Sequence, residues 1–314
     1  MSALPIIIDT DPGQDDAIAL LLAAASPELD LLGVTTVAGN VPLKLTTRNA
    51  RVVMELAGRR DVPICAGADK PLEGVPLVTA EHVHGDTGLN GIELPEPTVP
   101  LDARHAVDFI VDTLRQREPG TVTLCPLGPL TNIALALRRA PDVAGRIRRI
   151  VLMGGGFFEG GNVTPAAEFN LYVDPQAAHE VFTSGVPLTM APLDVTHEAL
   201  TTAARIEAIR RLGNRVGEAV AAWMEFFERY DEEKYGQDGG PLHDPCVIAW
   251  LLQPALFSSR ECNVRIETRS ELTRGMSVID WWGVTGLPAN AQVLRHVDAD
   301  GFFALLTDRL SRLA

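Results

Sequence analysis

Residues Pro5 to Leu22, PIIIDTDPGQDDAIALLL, constrain this chain more than any other stretch. Three isoleucines followed at once by Asp9 predict a short, fully buried strand, and the apolar run from Ala17 to Ala25 predicts a buried helix. Between them, Asp9, Asp11, Asp15 and Asp16 put four carboxylates into eight residues. Desolvated like charges repel and raise one another's pKa, so this turn calls for a positive partner. A hard divalent cation suits it, because carboxylates without nearby thiolates or paired imidazoles favour calcium, magnesium or manganese over zinc. The alternative is structural: Asp15 or Asp16 caps the helix, and Asp9 and Asp11 occupy a turn built on Pro12 and Gly13. Capping accounts for at most two of the four acids.

The rest of the chain alternates apolar strands with helices. Strands are expected at Leu29 to Val37, Val62 to Ala66, Thr121 to Cys125, Ile147 to Met153, Pro187 to Ala191, Val264 to Thr268, Met276 to Trp281 and Ala291 to His296. Helices are expected at Pro42 to Leu56, Arg104 to Arg117, Leu130 to Arg139, Pro175 to Thr183, Thr202 to Leu212, Val216 to Tyr230 and Phe302 to Leu313. Asp244-Pro245 opens one more, with Asp as N-cap and Pro at the first helical position. Gly67 to Pro100 reads as a long irregular segment, a length that usually marks function or disorder.

This alternation predicts an α/β fold, an open and mainly parallel sheet with helices on both faces, joined by right-handed crossovers in a single domain over residues 1–314. Such sheets bind ligands beyond the carboxyl ends of their strands, where the strand order reverses. Asp9 and Asp11, Asn40, Pro126-Leu127-Gly128 and Gly154 to Gly156 each follow a different expected strand, so one crevice can collect them.

With 46% hydrophobic and 22% charged residues the composition is that of an ordinary globular protein, without an apolar run of about 18 residues to span a membrane. No basic region precedes the first apolar run, so no signal peptide is expected and a cytoplasmic location follows. A net charge of -14 argues against nucleic-acid or anionic-membrane partners and for a small molecule. Cys65, Cys125, Cys246 and Cys262 form no CxxC pair and are expected to be buried free thiols. Neither a GxGxxG fingerprint nor a GxxxxGK[ST] loop is present, which disfavours nicotinamide and nucleotide triphosphate cofactors.

Five blocks in order, DTDPGQDDAIAL, VTTVAGN, RIVLMGGG, the Asn162/AEFN group and HDPC, resemble the inosine-uridine-type nucleoside hydrolases from Pro5 to about Val297. The resemblance implies a Rossmann-like nucleoside hydrolase fold and a Ca2+ ion held by Asp11, Asp16, the Leu127 carbonyl and Asp244. It also implies Asp11 as general base toward water, Asp9 behind the ligands, and ribose contacts from Asp15, Asn40, Asn162, Glu168 and Asn170. His243 is the candidate for protonating the departing base, and His84 a candidate pocket residue. A homodimer or homotetramer is implied as well.

Each residue also has a plainer reading. Asn40 and Asn162 can be turn residues, Glu168 an exposed acid, His82 a solvent-facing side chain, and Tyr230 and Tyr235 packing at a helix end. Trp281 and Trp282 suit core packing or a subunit contact. Two rival functions are a haloacid-dehalogenase-like phosphatase using Asp9 and Asp11, and a non-catalytic nucleoside-binding or calcium-binding protein. The first needs a phosphate-binding lysine, and Lys44, Lys70 and Lys234 are the only lysines in the chain.

Overall fold

The opening isoleucines form strand β1 (Leu4–Thr10), and alternation along it explains how the sheet is buried on both sides. A computed structural model describes residues 3–72, 76–235 and 239–313, apart from the side chains of 230–235. Ile6 and Ile8 join one apolar core with the helices Gln14–Ala24, Leu43–Leu56, Arg215–Tyr235, Pro245–Leu252 and Ala299–Leu310. Ile7 points the other way, into a second core with the helices Ala106–Gln116, Thr131–Arg139 and Pro175–Thr183. Burying each such side chain stabilises the fold by about 1.5–3 kcal/mol, so the acidic turn rests on a well-anchored base.

The remaining strands are β2 (Leu29–Thr36), β3 (Ile64–Ala66), β4 (Val122–Pro126), β5 (Ile147–Met153), β6 (Leu188–Ala191), β7 (Phe257–Ile266), β8 (Ser277–Asp280) and β9 (Ala291–Val297). They make one nine-stranded sheet in the order β3-β2-β1-β4-β5-β6-β9-β7-β8. Every pair from β3 to β9 is parallel, and β7 is antiparallel to both β9 and β8. The chain steps outward from β1 to β2 and β3, then returns to place β4 on the other side of β1. The order therefore reverses between β1 and β4, and the acidic turn lies at the carboxyl end of that junction.

Strand β7 begins at Phe257, well ahead of the expected Val264, because its first half is an exposed polar run that no hydrophobic pattern reveals. The last helix begins at Ala299 and not Phe302, its N-cap being Asp298, whose carboxylate accepts from Gly301 N. Trp282 is 71% exposed, which rules out core packing for it, whereas Trp281 packs partly against the second core. All four cysteines are buried free thiols.

Candidate active site

Asp16 does two things at once. As the third residue of the helix Gln14–Ala24 its Oδ2 accepts from Gly13 N at 3.0 Å, which is a capping bond, and from Asn40 Nδ2 at 3.2 Å. Its Oδ1 accepts from the Thr10 hydroxyl at 2.5 Å and from Asp11 N at 3.3 Å. Capping and site-building are thus not alternatives here. Asn40, at the end of β2, is more than a turn residue: its backbone N donates to Asp11 Oδ2 at 2.7 Å and its amide to the Asp11 carbonyl at 3.2 Å.

The Asp11 carboxylate fits between two glycines. A Cβ on Gly39 would collide with its Oδ2, and a Cβ on Gly128 with its Oδ1. Gly128→Ala is therefore expected to push Asp11 aside. Behind it, Asp9 Oδ1 accepts from the Thr35 hydroxyl at 2.5 Å and from Asn132 Nδ2 at 2.8 Å. Asn132 also donates to the Thr36 carbonyl, tying β1, β2 and the helix Thr131–Arg139 together.

Asp244 reaches this cluster from the far end of the chain. Pro245 is the first helical residue as expected, but Asp244 makes no capping bond and has helical backbone angles. Its carboxyl turns inward, to within 4.8 Å of carboxylate oxygens of Asp15 and Asp16. One oxygen from each of Asp15, Asp16 and Asp244 lies within 4.8 Å of the others, so the trio contains Asp15 where the expected ligand set has Asp11, whose backbone N donates to Asp16 Oδ1. Burial, then the Asp16 and Asp15 charges, hold Asp11 well above the usual carboxylate range; burial and the Asp15, Asp16 and Asp11 charges do the same for Asp244.

A hard cation fits these residues. Asp11 Oδ1 is buried with no hydrogen-bond partner, and the donors are all oxygens.

The crevice above the acids encloses about 750 Å³, counting its open mouth. One wall comes from the loops after β4 and β5. Glu168 is buried, not an exposed acid: it caps the helix Phe169–Val173 and accepts from Gly155 N at 2.9 Å and Asn170 N at 2.9 Å. Burial pushes its carboxyl up to about 7 despite those bonds. Asn170 donates to the Leu127 carbonyl at 2.7 Å, leaving that oxygen a second lone pair. Asn162 accepts from Phe169 N at 2.9 Å and lines the crevice.

The opposite wall carries the histidines. Gln14 Nε2 donates to the carbonyls of His84 and Asn90 at 3.0 and 3.1 Å, so its Oε1 is the acceptor facing His84 Nδ1 at 2.6 Å. His84 therefore carries its proton on Nδ1, and burial pushes its pKa down to about 3. His243 lines the crevice beside Phe227 and His197, with ring centroids 6.2 and 5.8 Å away, and burial lowers its pKa well below the usual imidazole value. His82 is exposed at the rim. Tyr230 and Tyr235 fall outside the described side chains.

Sequence reasoning missed Gln14, Thr35, Thr196, His197 and Phe227. The signal for Thr196 and His197 was present, since DVTHE follows the carboxyl end of β6 just as the other site residues follow theirs. Among the described residues lining the crevice none is lysine or arginine. The phosphatase reading needs a phosphate-binding lysine at the site, and the described crevice lining supplies none.

The pattern of the inosine-uridine preferring nucleoside hydrolase family matches residues 6–304, and the chain belongs to that family. It is accordingly a hydrolase of N-glycosyl compounds, acting on ribonucleosides, which also sets aside the non-catalytic rival. An uncharacterized protein of Schizosaccharomyces pombe is 59% identical over 99% of this chain and 100% of its own. The pyrimidine-specific ribonucleoside hydrolase RihA of Shewanella sp. (strain ANA-3) is 52% identical over 98% of this chain and 96% of its own. The purine-preferring ribonucleoside hydrolase from Gardnerella vaginalis superposes with a TM-score of 0.91 at 32% identity, covering 98% of both chains.

Proposed function

We propose that this protein is a calcium-dependent hydrolase that cleaves ribonucleosides to free base and ribose, with pyrimidine nucleosides ahead of purine ones, in nucleoside salvage in the cytoplasm. The observation that carries the reading is the approach of Asp244 to Asp15, Asp16 and Asp11 across most of the chain length, at the floor of a crevice walled by amides and imidazoles. The pyrimidine preference rests on the 52% identity to a pyrimidine-specific relative against 32% to a purine-preferring one.

Asp11, Asp16, Asp244 and the Leu127 carbonyl would hold the ion. A calcium ion held there would acidify a nearby water and favour the approach of sugar hydroxyls. Asp11 takes a proton from the attacking water as its oxygen bonds to C1′ and the bond to the base nitrogen breaks, with no covalent sugar intermediate. Asp15, Asn40, Asn162, Glu168 and Asn170 grip the ribose hydroxyls, and the acids stabilise the positive charge that develops on the sugar. Asp9 holds the turn from behind. His243 faces the base, whose departing negative charge favours proton donation to it.

Reducing-sugar release from uridine, cytidine, inosine and adenosine tests the function. Faster release from the two pyrimidine nucleosides is expected; no release from any of the four would refute it. His243→Ala is expected to slow uridine hydrolysis by about 100-fold while sparing p-nitrophenyl riboside, whose leaving group needs no proton. A homodimer or homotetramer is part of the proposal, supported by the exposed Trp282 and Val284, at 71% and 85%. Light scattering checks it.

A further inference from the structure

We infer that Gln14 is a positioning residue that holds the His84 ring with its Nε2 lone pair open to the crevice, where it accepts a hydrogen bond from an N–H on the edge of the base. The inference deepens the proposed function and rests on that reading of the crevice as a nucleoside site.

Gln14 opens the helix Gln14–Ala24 and is buried. A side-chain amide offers two hydrogens and one acceptor oxygen, and all of them are placed here. The hydrogens go to the carbonyls of His84 and Asn90, at 3.0 and 3.1 Å, which leaves Oε1 facing His84 Nδ1 at 2.6 Å. Turning the amide over would aim its oxygen at two carbonyl oxygens, so the first two bonds set the direction of the third: Nδ1 donates and Oε1 accepts. Burial keeps the ring neutral, with its pKa pushed down to about 3. Nε2 then carries the lone pair, on a ring that lines the crevice, and among the described residues no hydrogen bond reaches it.

One side chain thus ties the base wall of the crevice to the acidic turn. His84 and Asn90 bracket the loop that follows the helix Glu81–His84, and Asn49 fastens the same loop again by donating to the carbonyls of Pro12 and Thr87 at 3.0 and 2.7 Å. Phe227 packs beside the His84 ring, centroids 5.6 Å apart, and lies edge-on to His243, so His84 belongs to the wall assigned to the base. Uridine offers an imide N–H at N3 and cytidine an amino group on the neighbouring carbon, and both are donors that suit a fixed lone pair. Without the Gln14 acceptor the ring hydrogen is free to move to Nε2, where donor would meet donor. A site built to accept from a base N–H discriminates against an analogue that lacks it.

The test measures ribose release from uridine and from N3-methyluridine, which lacks the imide hydrogen, in calcium-loaded wild type, Gln14→Ala, His84→Ala and the double variant. Each single variant is expected to lose about tenfold in kcat/KM on uridine, the scale of one hydrogen bond, and less than about twofold on N3-methyluridine. Because Gln14 acts through His84, the double variant should stay within about twofold of His84→Ala on uridine. Equal losses of Gln14→Ala on the two substrates, no loss on uridine, or a double variant whose loss is the product of the single ones would overturn the role. A wild type that releases ribose while His84→Ala shows no selective loss sinks this inference alone; a wild type that releases none from either substrate sinks the hydrolase reading with it. If Gln14→Ala does not fold, nitrogen-15 NMR of the wild-type His84 ring decides: a protonated Nδ1 and a bare Nε2 are expected, and the reverse contradicts the inference.

Discussion

Asp11→Ala is expected to lower kcat on uridine by at least about 10³-fold while leaving the far-ultraviolet circular dichroism unchanged. Three observations set the size of this effect. The carboxylate is fixed on both sides, by Gly39 with the Asn40 backbone N–H and by Gly128. Its Oδ1 has no hydrogen-bond partner and is therefore available to a water or an ion. The same side chain is asked to hold the cation and take the water's proton, so the substitution removes both contributions together. The fold should tolerate the change, because removing Asp11 relieves repulsion among desolvated acids. Asp9→Asn is a useful contrast, since an amide oxygen in place of Asp9 Oδ1 can accept both the Thr35 and the Asn132 bond, and a smaller loss is expected. Steady-state kinetics of the Asp11 variant checks the assignment; near-wild-type turnover would remove Asp11 from the chemistry.

The second large effect concerns stability without metal. Burial lifts Asp9 from its ordinary 3.8 to about 7 and Glu168 from 4.5 to about 7, and holds Asp11 and Asp244 well above the usual range. A folded-state pKa above the unfolded one means the folded protein binds more protons between the two values. Unfolding then releases protons, so stability falls as pH rises from about 4 to above 7, the reverse of the usual trend for paired carboxylates. Each pKa unit corresponds to about 1.4 kcal/mol, so ionising the cluster costs on the order of several kcal/mol. In chelator, Tm should therefore drop by on the order of 5–10 °C between pH 5.5 and pH 8. Calcium held by the native cluster as proposed, and not by the unfolded chain, is expected to restore Tm at pH 8 and do little at pH 5.5. Calorimetry at the two pH values tests this, and a metal-free Tm that rises with pH would contradict it.

How much of this was legible in the sequence depended on length and on which face of an element is buried. Ile147–Met153 and Pro175–Thr183 have the expected bounds because the first runs into three glycines and the second opens on a proline with Asp174 as its cap. The helices Glu81–His84, Phe169–Val173 and Leu193–Thr196 are too short to show a period, and the crevice takes His84 and Asn170 from the first two. Asp244 beside Pro245 reads locally as a cap, and only the long-range fold turns its carboxyl toward Asp16. Glu168 reads as an ordinary acid because nothing adjacent to it reveals the burial imposed by the loop after β5. The acidic turn was legible because four carboxylates beside an isoleucine strand conflict with burial unless something compensates them. Their partners were not, because Asn132 and Thr35 approach Asp9 from separate elements.

Titrating calcium into chelator-stripped protein, while counting ions bound per chain and ribose released from uridine, addresses the site most directly. Ribose release is expected to be absent at the start, to rise in proportion to bound calcium, and to level off at one ion per chain, with Asp244→Asn requiring far more calcium. Full turnover in the stripped protein, or turnover that ignores the bound ion, would contradict a cation held at the end of β1.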